Sequence, residues 1–518
     1  MNLIFRCLLF TLLLCLPGLP ALAENAPAAV QLTILHTNDM HSRILPEDDR
    51  GNSIGLPEIG AAVKAIRQQS PGTLLVDAGD TLHGMPEINI SQGKNMVPLL
   101  NAIGYDCMVP GNHDYNYGAE QLQTLAKGLH FPVLSANTID RHTNQLLFPA
   151  STILVRQGLR IAFFGITTPE AAYKTSPNNI KNIQFLDAAA AARRMVKQLR
   201  PQADLIIGIM HVGLDKSSVI TSDAIARAVP GIDVIIDGHS HTELPHGLYV
   251  GNTLIAQTGC YDHHLGRVDI QLQGKRITSK TARLYSPAEL QAIAPTPDAG
   301  IAQMIVRLKK ENQSKFSQVI AYSNQTLSGD RQLIRCQETA LGNLTADAMR
   351  AAAQADIGLV NSGSIRADLK AGKVTRRDMM AIFPFGNTLK KIAVNGRQLQ
   401  AVLEHSVQEF PKPSVAFLQV SGLAFVFDPS LPVGQRVTSI TVGDAPMEPD
   451  KLYTVSVCDF LTAGGDGYSM LKEAKVLGEY GTCEEAMVSW LNQRHAISYQ
   501  PSGRIQAIAS TGKLPKAA

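Results

Sequence analysis

The feature of this sequence that most constrains its fold is a series of short apolar segments, most of which run directly into Asp, Asn or His. The segments are rich in Val, Ile and Leu, and they are Leu32–Leu35, Thr73–Val76, Cys107–Val109, Ile161–Gly165, Leu205–Ile209, Val234–Ile236 and Thr253–Ala256. Helical stretches such as Ile59–Gln68 and Asp187–Leu199 lie between them. Continuous apolar character is typical of strands that are covered on both faces. Residues 24–290 are therefore predicted to form an α/β domain.

Polar side chains with metal-binding chemistry follow five of these strands. They are Asp39, His41, Asp77, Asp80, Asn112, His113, Asp114, His211, Asp237, His239 and His241. Because the carboxyl ends of parallel strands share one edge of a sheet, we expect these groups to converge. Imidazoles and carboxylates without thiols suit two divalent ions when one carboxylate bridges them. Two ions about 3.5–4 Å apart can activate a hydroxide and hold a phosphoryl group, so the predicted chemistry is hydrolysis of a phosphate ester.

The composition changes after this unit. Ser286–Gly300 is rich in Ala, Pro and Gly, and the polar helical stretch Ile301–Phe316 follows it. Residues 291–317 are therefore predicted to be a linker and hinge helix. Residues 318–510 are predicted to form a second, α+β domain. Its predicted elements are the helices Glu338–Ala353 and Asn395–Val407 and the strands Ala416–Phe427 and Lys451–Val457.

Residues 1–23 have the layout of a secretory signal peptide. Arg6 precedes an apolar core, Leu8–Leu16, and Ala21-Leu22-Ala23 supplies small residues for cleavage. The core is too short to span a membrane, and no later segment approaches about 20 apolar residues. We expect cleavage near Ala23, a periplasmic or secreted product and no stable membrane anchor.

The charge balance points to a small partner. Lys and Arg number 47 against 44 Asp and Glu, which leaves a net charge of +3. This excess is too small to indicate binding of a nucleic acid polymer, so a small-molecule substrate is expected. The oligomeric state stays open.

Five cysteines remain after removal of the signal peptide, and an odd number leaves at least one unpaired. Cys107 lies in an apolar run and is predicted to be a buried thiol. The other four allow three pairings, between which the sequence does not decide; they are Cys260, Cys336, Cys458 and Cys483. None is expected to bind the metals.

The order of the polar residues resembles the calcineurin-like metallophosphoesterase superfamily. The matching motifs are Asp39-x-His41, Gly79-Asp80, Gly111-Asn112-His113-Asp114, His211 and Gly238-His239-Ser240-His241. Three later motifs resemble the C-terminal domain of secreted 5′-nucleotidases and of the periplasmic UDP-sugar hydrolase/5′-nucleotidase type; they are Asn361-Ser362-Gly363-Ser364-Ile365-Arg366, Pro384-Phe385-Gly386-Asn387 and Gly464-Gly465-Asp466-Gly467-Tyr468. The resemblance implies an α-β-β-α metallophosphoesterase sandwich followed by an α+β 5′-nucleotidase C-terminal domain.

The resemblance also implies two divalent metal ions. One would be held by Asp39, His41, Asp80 and His241, and the other by Asp80, Asn112, His211 and His239. Asp80 would bridge them. Zn, Mn, Co and Fe all fit these ligands. Some relatives have glutamine at position 241, so His241 would make the first site richer in nitrogen.

Two residues, His113 and Asn116, are implied to act in catalysis. His113 would face the scissile phosphate and either stabilise the transition state or protonate the leaving alkoxide. In the UDP-sugar hydrolase type an aspartate stands where this chain has Asn116. A neutral amide can orient the imidazole but does less to raise its basicity. The same Asn occurs in relatives that act on 2′,3′-cyclic nucleotides, so that activity stays open.

The matching positions in the second domain imply a nucleotide pocket. Phosphate would be bound by arginines, whose guanidinium groups suit its oxygens. Two phenylalanines would stack on either side of the base, which predicts broad base acceptance. The implied substrate-binding residues are Arg331, Arg335, Asn361, Arg366, Phe385, Asn387, Gly422, Phe460 and Asp466.

These features predict a periplasmic, dinuclear metal-dependent 5′-nucleotidase that releases nucleoside and phosphate through a metal-activated hydroxide. Because ligand groups lie in both domains, the resemblance implies that the C-terminal domain rotates to deliver substrate. Three alternatives stay open: a 2′,3′-cyclic-nucleotide 2′-phosphodiesterase/3′-nucleotidase, a UDP-sugar hydrolase, and a nucleotide-binding protein that retains the fold.

Overall fold

The computed structural model describes residues 29–46, 53–172, 174–175, 177–216, 218–494 and 496–508. The predicted signal peptide lies outside these residues. The chain forms an N-terminal unit that ends with the helix Ala299–Phe316 and a C-terminal unit that begins with the strand Val319–Ser323.

Two β-sheets form the centre of the N-terminal unit. The first has the spatial order Arg276–Tyr285, Leu265–Gln273, Ala29–Thr37, Leu74–Asp77 and Cys107–Met108. The second has the order Leu248–Val250, Thr253–Ala256, Val234–Ile236, Leu205–His211, Leu159–Thr167 and Ser151–Arg156. Thr138–Asp140 pairs with Ile183–Phe185 in a small separate sheet. Strands in the middle of both large sheets pair in parallel, so their carboxyl ends lie at a common edge.

The side chains of the two large sheets alternate between inner and outer cores. Ile34 and Ile207 belong to one buried cluster between the sheets. Their neighbours Leu35 and Ile206 lie in two other clusters, which include residues of the helices that cover the outer faces. This alternation follows from the two-residue period of a strand. The result is the predicted order of layers: helices, sheet, sheet and helices.

The helices of this unit bury one apolar face each. In Leu56–Gln69 the buried residues include Ile59, Val63 and Ile66, which are spaced for one face of a helix. The α-helices are Leu56–Gln69, Pro86–Asn89, Met96–Ile103, Ala119–Gly128, Pro177–Ile180, Ala188–Leu199, Ser222–Ala228, Pro287–Ile293 and Ala299–Phe316. Short 3-10 helices cover His113–Tyr115 and Pro169–Ala172.

The C-terminal unit mixes helices with three sheets around one core. The largest sheet has the order Leu418–Ser421, Ile357–Asn361, Leu452–Cys458, Thr388–Asn395 and Lys475–Thr482. The smaller sheets are Ala445–Pro446, Val437–Val442, Leu423–Phe427 and Ile505–Ala507, and Gly372–Thr375, Val319–Ser323 and Ala496–Ile497. The α-helices are Arg331–Ile334, Ala340–Ala353, Arg376–Ile382, Gly396–Val407, Asp459–Thr462 and Cys483–Asn492, and 3-10 helices cover Ser362–Ser364, Gly465–Gly467 and Ser469–Leu471. This is the predicted α+β domain.

One predicted strand, Ala416–Phe427, is wrong as a single element. The structure divides it into Leu418–Ser421 and Leu423–Phe427, which belong to different sheets. Gly422, at the break, has a φ of 72°, and a Cβ there would lie 2.0 Å from the carbonyl oxygen of Asp356. Only glycine allows this backbone conformation and approach together.

The connecting helix Ala299–Phe316 packs against the N-terminal unit. Its residues Ile301, Ile305 and Leu308 join the core on the outer face of the first sheet. At its start the side chain of Asp298 accepts a hydrogen bond from the backbone N–H of Ile301 at 3.0 Å. The helix is therefore anchored on one unit rather than suspended between two.

Candidate functional site

The seven predicted metal ligands lie at or just beyond the carboxyl ends of parallel strands. They are Asp39, His41, Asp80, Asn112, His211, His239 and His241. Five of them have a left-handed backbone conformation: Asp39, His41, Asp80, His239 and His241, with φ between 45° and 78°. Such conformations cost on the order of 1 kcal/mol each and persist where the surrounding structure fixes them, typically at functional sites.

Histidine and carboxylate atoms converge in three overlapping groups, and in each group the candidate ligand atoms lie within 4.8 Å of one another. Asp39, His41 and His241 form the first group, and Asp80, His211 and His239 form the second. The third group joins His113 to His41 and Asp80. The Nε2 atoms of His41 and His241 are 3.2 Å apart, and Nε2 of His211 is 3.1 Å from Oδ2 of Asp80. Neighbouring ligands about 2.1 Å from one ion have such separations.

Buried polar atoms at this edge are oriented as metal ligands require. Oδ1 of Asn112 is buried and has no hydrogen-bond partner among the described residues. Nδ1 of His211 lies 2.6 Å from the carbonyl oxygen of Ala78, which leaves Nε2 for the site. Asp39 accepts hydrogen bonds from Nδ2 of Asn38 at 2.7 Å and from the backbone N–H of His239 at 2.9 Å. Outer hydrogen bonds of this kind fix the ligands of a metal, so the residues present fit divalent ions.

A second carboxylate, Asp114, holds the loop that bears Asp80. It accepts hydrogen bonds at 2.8–3.0 Å from the backbone N–H groups of Asp80, Thr81, Leu82 and Gly111. A Cβ at Gly111 would lie 2.1 Å from Oδ1 of Asp80, so glycine allows the two loops to meet. Asp114 therefore holds this loop, and Asp80 remains the predicted ligand.

Burial and charge set the protonation of the cluster. Burial would raise the pKa of Asp80, but the neighbouring His211 and His113 outweigh it and hold that pKa well below its usual value. The pKa of His211 is raised to about 10 because Asp80 and Asp39 outweigh burial. Burial, with Lys174 nearby, lowers the pKa of His239 to about 4. His239 is thus neutral, the form of histidine that binds metals.

The two predicted catalytic residues are in contact. Nδ2 of Asn116 lies 3.1 Å from Nδ1 of His113 and 3.2 Å from Nδ1 of a second histidine, His83. The rings of His83 and His113 are nearly parallel, with centroids 6.0 Å apart. Nε2 of His83 lies 3.2 Å from Oε2 of Glu485 in the C-terminal unit. Asn116 therefore links His113 to His83, and His83 in turn contacts the carboxylate of Glu485. The sequence prediction missed His83.

In the C-terminal unit, most of the predicted pocket residues are neighbours. The guanidinium of Arg366 lies 5.4 Å from the ring centre of Phe385. Nδ2 of Asn361 donates to Oδ2 of Asp466 at 2.6 Å. The ring of Phe460 is 43% exposed, as a stacking surface requires.

The remaining predicted pocket residues differ in which residues they lie next to. Asn387 donates through Nδ2 to Oδ1 of Asp459, at 3.0 Å, and Arg335 lies near Asp466 and Arg331. Gly422 instead packs against Asp356 at the strand break, which explains a glycine there without a nucleotide. Its proposed contact with substrate stays a prediction.

Two sequence families match the two units. Residues 32–243 match the calcineurin-like phosphoesterase family, and residues 319–473 match the 5′-nucleotidase C-terminal domain. The chain belongs to the 5′-nucleotidase family of metallophosphoesterases. It is accordingly a hydrolase of phosphoric esters, and the family uses divalent metal ions of the kind that its His and Asp groups can hold.

Whole-length relatives support this membership. A 5′-nucleotidase of Vibrio cholerae is 28% identical over 500 residues, covering 88% of each chain. The solved structure of a 5′-nucleotidase precursor from Thermus thermophilus is 27% identical, with a TM-score of 0.56, and covers 93% of this chain and 100% of its own. The NAD nucleotidase of Haemophilus influenzae, at 22% identity and a TM-score of 0.75 over 93% of this chain and 100% of its own, shares the fold.

Several residues around the metal groups of this family member were missed. Glu170 and Lys174 follow the strand Leu159–Thr167; Oε2 of Glu170 lies 3.0 Å from Nε2 of His239, and Nζ of Lys174 lies 3.1 Å from the same atom. Their position after a parallel strand is the signal that could have revealed them. Glu479 and Lys390, from the C-terminal unit, lie on strands that give no such signal.

The cysteines differ from the expectation in one respect. All five that the structure describes are free thiols, and Cys107 is buried as predicted. Cys260, however, contacts His241 at the metal edge, where no cysteine was expected. The turn that brings Cys260 there, with left-handed residues Tyr261 and Asp262, has no strand-end signal in the sequence.

Among the described residues, no helix is both long and apolar enough to cross a membrane.

Proposed function

We propose that the chain is a secreted or periplasmic 5′-nucleotidase that uses two divalent ions to hydrolyse nucleoside 5′-monophosphates to nucleoside and phosphate. The observation that supports it best is the pairing of two units: one brings the metal-binding groups to a sheet edge, and the other brings Arg366 to Phe385 and Asn361 to Asp466 and exposes Phe460. A phosphate ester that carries an aromatic base is the kind of substrate that would contact both the metal-binding groups and the residues of the second unit.

The residues of the chain divide the chemical work. Bound ions would supply the activated hydroxide and neutralise the phosphoryl oxygens. Asp39, His41, Asp80, Asn112, His211, His239 and His241 would hold them. With the amide nitrogen of Asn116 facing Nδ1 of His113, the neutral ring has its proton on Nε2. His113 would donate this proton to the phosphate or the leaving alkoxide.

The second unit would bind the rest of the nucleotide. Arg331, Arg335 and Arg366 would contact phosphate oxygens, and Phe385 and Phe460 would enclose the base. Asn361, Asn387, Asp466 and Gly422 complete the proposed set. Stacking contributes about 1–3 kcal/mol per base and accepts any base, so adenine and uracil nucleotides should both be substrates.

One observation favours a second candidate activity, hydrolysis of 2′,3′-cyclic nucleotides. Position 116 is an amide that is shared between His113 and His83, whereas the UDP-sugar hydrolase type has an aspartate there. A shared amide orients His113 without adding a charge. This suits a reaction in which the ring positions phosphate more than it accepts a proton.

The deciding experiment uses the purified mature chain and measures phosphate release from AMP, release of UMP and glucose 1-phosphate from UDP-glucose, and ring opening of 2′,3′-cyclic AMP. Each assay is run with Mn²⁺ or Zn²⁺ and with EDTA. Metal-dependent turnover that is fastest on AMP supports the proposal. Preference for the cyclic substrate would instead support the second candidate activity, hydrolysis of 2′,3′-cyclic nucleotides. Absence of turnover on all three substrates, with stoichiometric metal bound, would leave only a nucleotide-binding role.

A further inference from the structure

Two glutamates of the C-terminal unit, Glu479 and Glu485, contact the two histidines that Asn116 joins. Oε2 of Glu479 lies 3.2 Å from Nε2 of His113. Oε2 of Glu485 lies 3.2 Å from Nε2 of His83. The rings of His113 and His83 therefore each contact, through Nε2, a carboxylate from the other unit.

These two glutamates come from one continuous piece of chain. Glu479 is on the strand Lys475–Thr482, and Glu485 is in the first turn of the helix Cys483–Asn492. Thr482 caps this helix: its hydroxyl accepts from the backbone N–H of Glu485, and Oε2 of Glu485 accepts from the backbone N–H of Thr482 at 2.9 Å. The capping box fixes the direction of Glu485 before any contact with His83 is made.

Glu479 is a buried anion at the centre of the proposed active site. Its side chain is 3% exposed, and Oε1 lies 3.2 Å from Nζ of Lys390, its partner on the neighbouring strand. Oε2 lies 3.5 Å from Nδ2 of Asn112 as well as near His113. A buried carboxylate is tolerated only when it is paired in this way.

We propose that Glu479 and Glu485 form an acidic clamp that holds the C-terminal unit in a resting orientation, with the Glu479 carboxylate in the place of the substrate phosphate. The inference rests on the proposed function for the position of that phosphate. Both a carboxylate and a phosphate present anionic oxygens to His113 and Asn112, so they compete for the same donors. Catalysis then requires the clamp to open, and phosphate or nucleotide favours the open orientation.

The test uses two readouts that do not depend on turnover. Spin labels are attached through non-natural amino acids at Gln202 and Asp444, which are exposed on different units, and their distance distribution is measured in the mature chain with and without bound metal. Binding of inorganic phosphate to the metal-loaded protein is measured by calorimetry. The variants are Glu479→Gln, Glu485→Gln and, as a matched control, Glu473→Gln, an exposed acid of the same unit.

We expect one dominant distance population in the wild type and in the control, with about one tenth of the molecules in a second, open population, and we expect the open population to dominate in each clamp variant. If the open fraction rises from about one tenth to most molecules, phosphate binds about ten-fold more tightly to Glu479→Gln. Unchanged distances and unchanged phosphate affinity in folded variants would overturn the clamp. Neither readout needs nucleotide hydrolysis. The clamp proposal can therefore be confirmed while the nucleotidase proposal fails, and the nucleotidase proposal can be confirmed while the clamp proposal fails.

Discussion

The metal edge and the nucleotide pocket are built in opposite ways. At the metal edge, seven side chains have ligand atoms within 4.8 Å of one another in three overlapping groups; five of the seven have a left-handed backbone conformation, and five are buried. In the proposed pocket, Phe460 is 43% exposed. The proposed reaction centre is therefore preformed, whereas the proposed recognition surface is more open. Changes at the first should abolish chemistry, and changes at the second should only weaken binding.

The largest effect is expected from Asp80→Asn. Removing the charge leaves His211 without the carboxylate 3.1 Å from its ring. Without this charge the proposed ions are no longer held, and the hydroxide they would supply is lost, so kcat/KM should fall by about three orders of magnitude or more. The variant should also lose bound metal, measured by elemental analysis. Asp269→Asn, on a strand of the first sheet away from the edge, is the control; full metal and activity in Asp80→Asn would show that the edge is not the reaction centre.

The next effect is expected from His113→Gln. A general acid contributes about 10²–10⁴-fold, so kcat should fall within that range while the metal content stays constant. Steady-state kinetics and elemental analysis of the same preparation check both statements. His113 also lies within 4.8 Å of His41 and Asp80, so loss of a metal ion in this variant would identify it as a ligand instead.

A smaller effect is expected from Phe460→Ala in the open pocket. Loss of one stacking face should cost about 1–3 kcal/mol, which raises KM about 5- to 150-fold with little change in kcat. The increase should be similar for AMP and UMP, and Phe460→Tyr should behave as the wild type. A fall in kcat with constant KM would mean that the pocket acts on the chemical step and would remove the contrast between the two regions.

The smallest effect concerns stability and is expected from Asp77→Asn, beneath the metal edge. Burial raises the pKa of Asp77 from 3.8 to about 7, against hydrogen bonds from Thr37 and Thr81. Because the folded state holds this proton more tightly than the unfolded state, the wild type loses stability as pH rises from about 4 to 7. Asn resembles the protonated acid, so the variant should lose about 1 kcal/mol less per pH unit.

Urea unfolding of Asp77→Asn at pH 5 and pH 8, followed separately for the two units, tests whether the variant loses less stability than the wild type as pH rises. The unit that contains Trp490 can be followed by fluorescence, because the chain has a single tryptophan. The unfolding transition of this C-terminal unit should be the same in the variant and in the wild type. An equal shift of both transitions would show that the two units unfold together.

The metal edge was predictable from sequence because a simple geometric rule places it. His211 ends the strand Leu205–His211, and the groups after its neighbours must lie beside it, since parallel strands end at one edge. The two-sheet sandwich followed from the same strands. The strands Leu265–Gln273 and Arg276–Tyr285 of the first sheet were missed because both are partly exposed and give no continuous apolar run.

Contacts between the units could not be predicted in this way. Glu479 and His113 are 366 residues apart, and their meeting depends on how two separately folded bodies are oriented. The neighbour of Gly422 could not be predicted for a related reason: glycine marks a close backbone approach, but the sequence does not say whether a ligand or Asp356 is the neighbour.

The anchoring of the helix Ala299–Phe316 restricts how the two units can move. Ile301, Ile305 and Leu308 lie in the N-terminal core, and Nδ2 of Asn312 donates to the carbonyl oxygen of Glu87 at 2.8 Å, so the helix is fixed to that unit along most of its length. The next strand of the C-terminal unit begins at Val319. Any swing of one unit against the other must therefore use the torsion angles of Ser317 and Gln318, a pivot two peptide units long, which favours rotation about a fixed point over sliding.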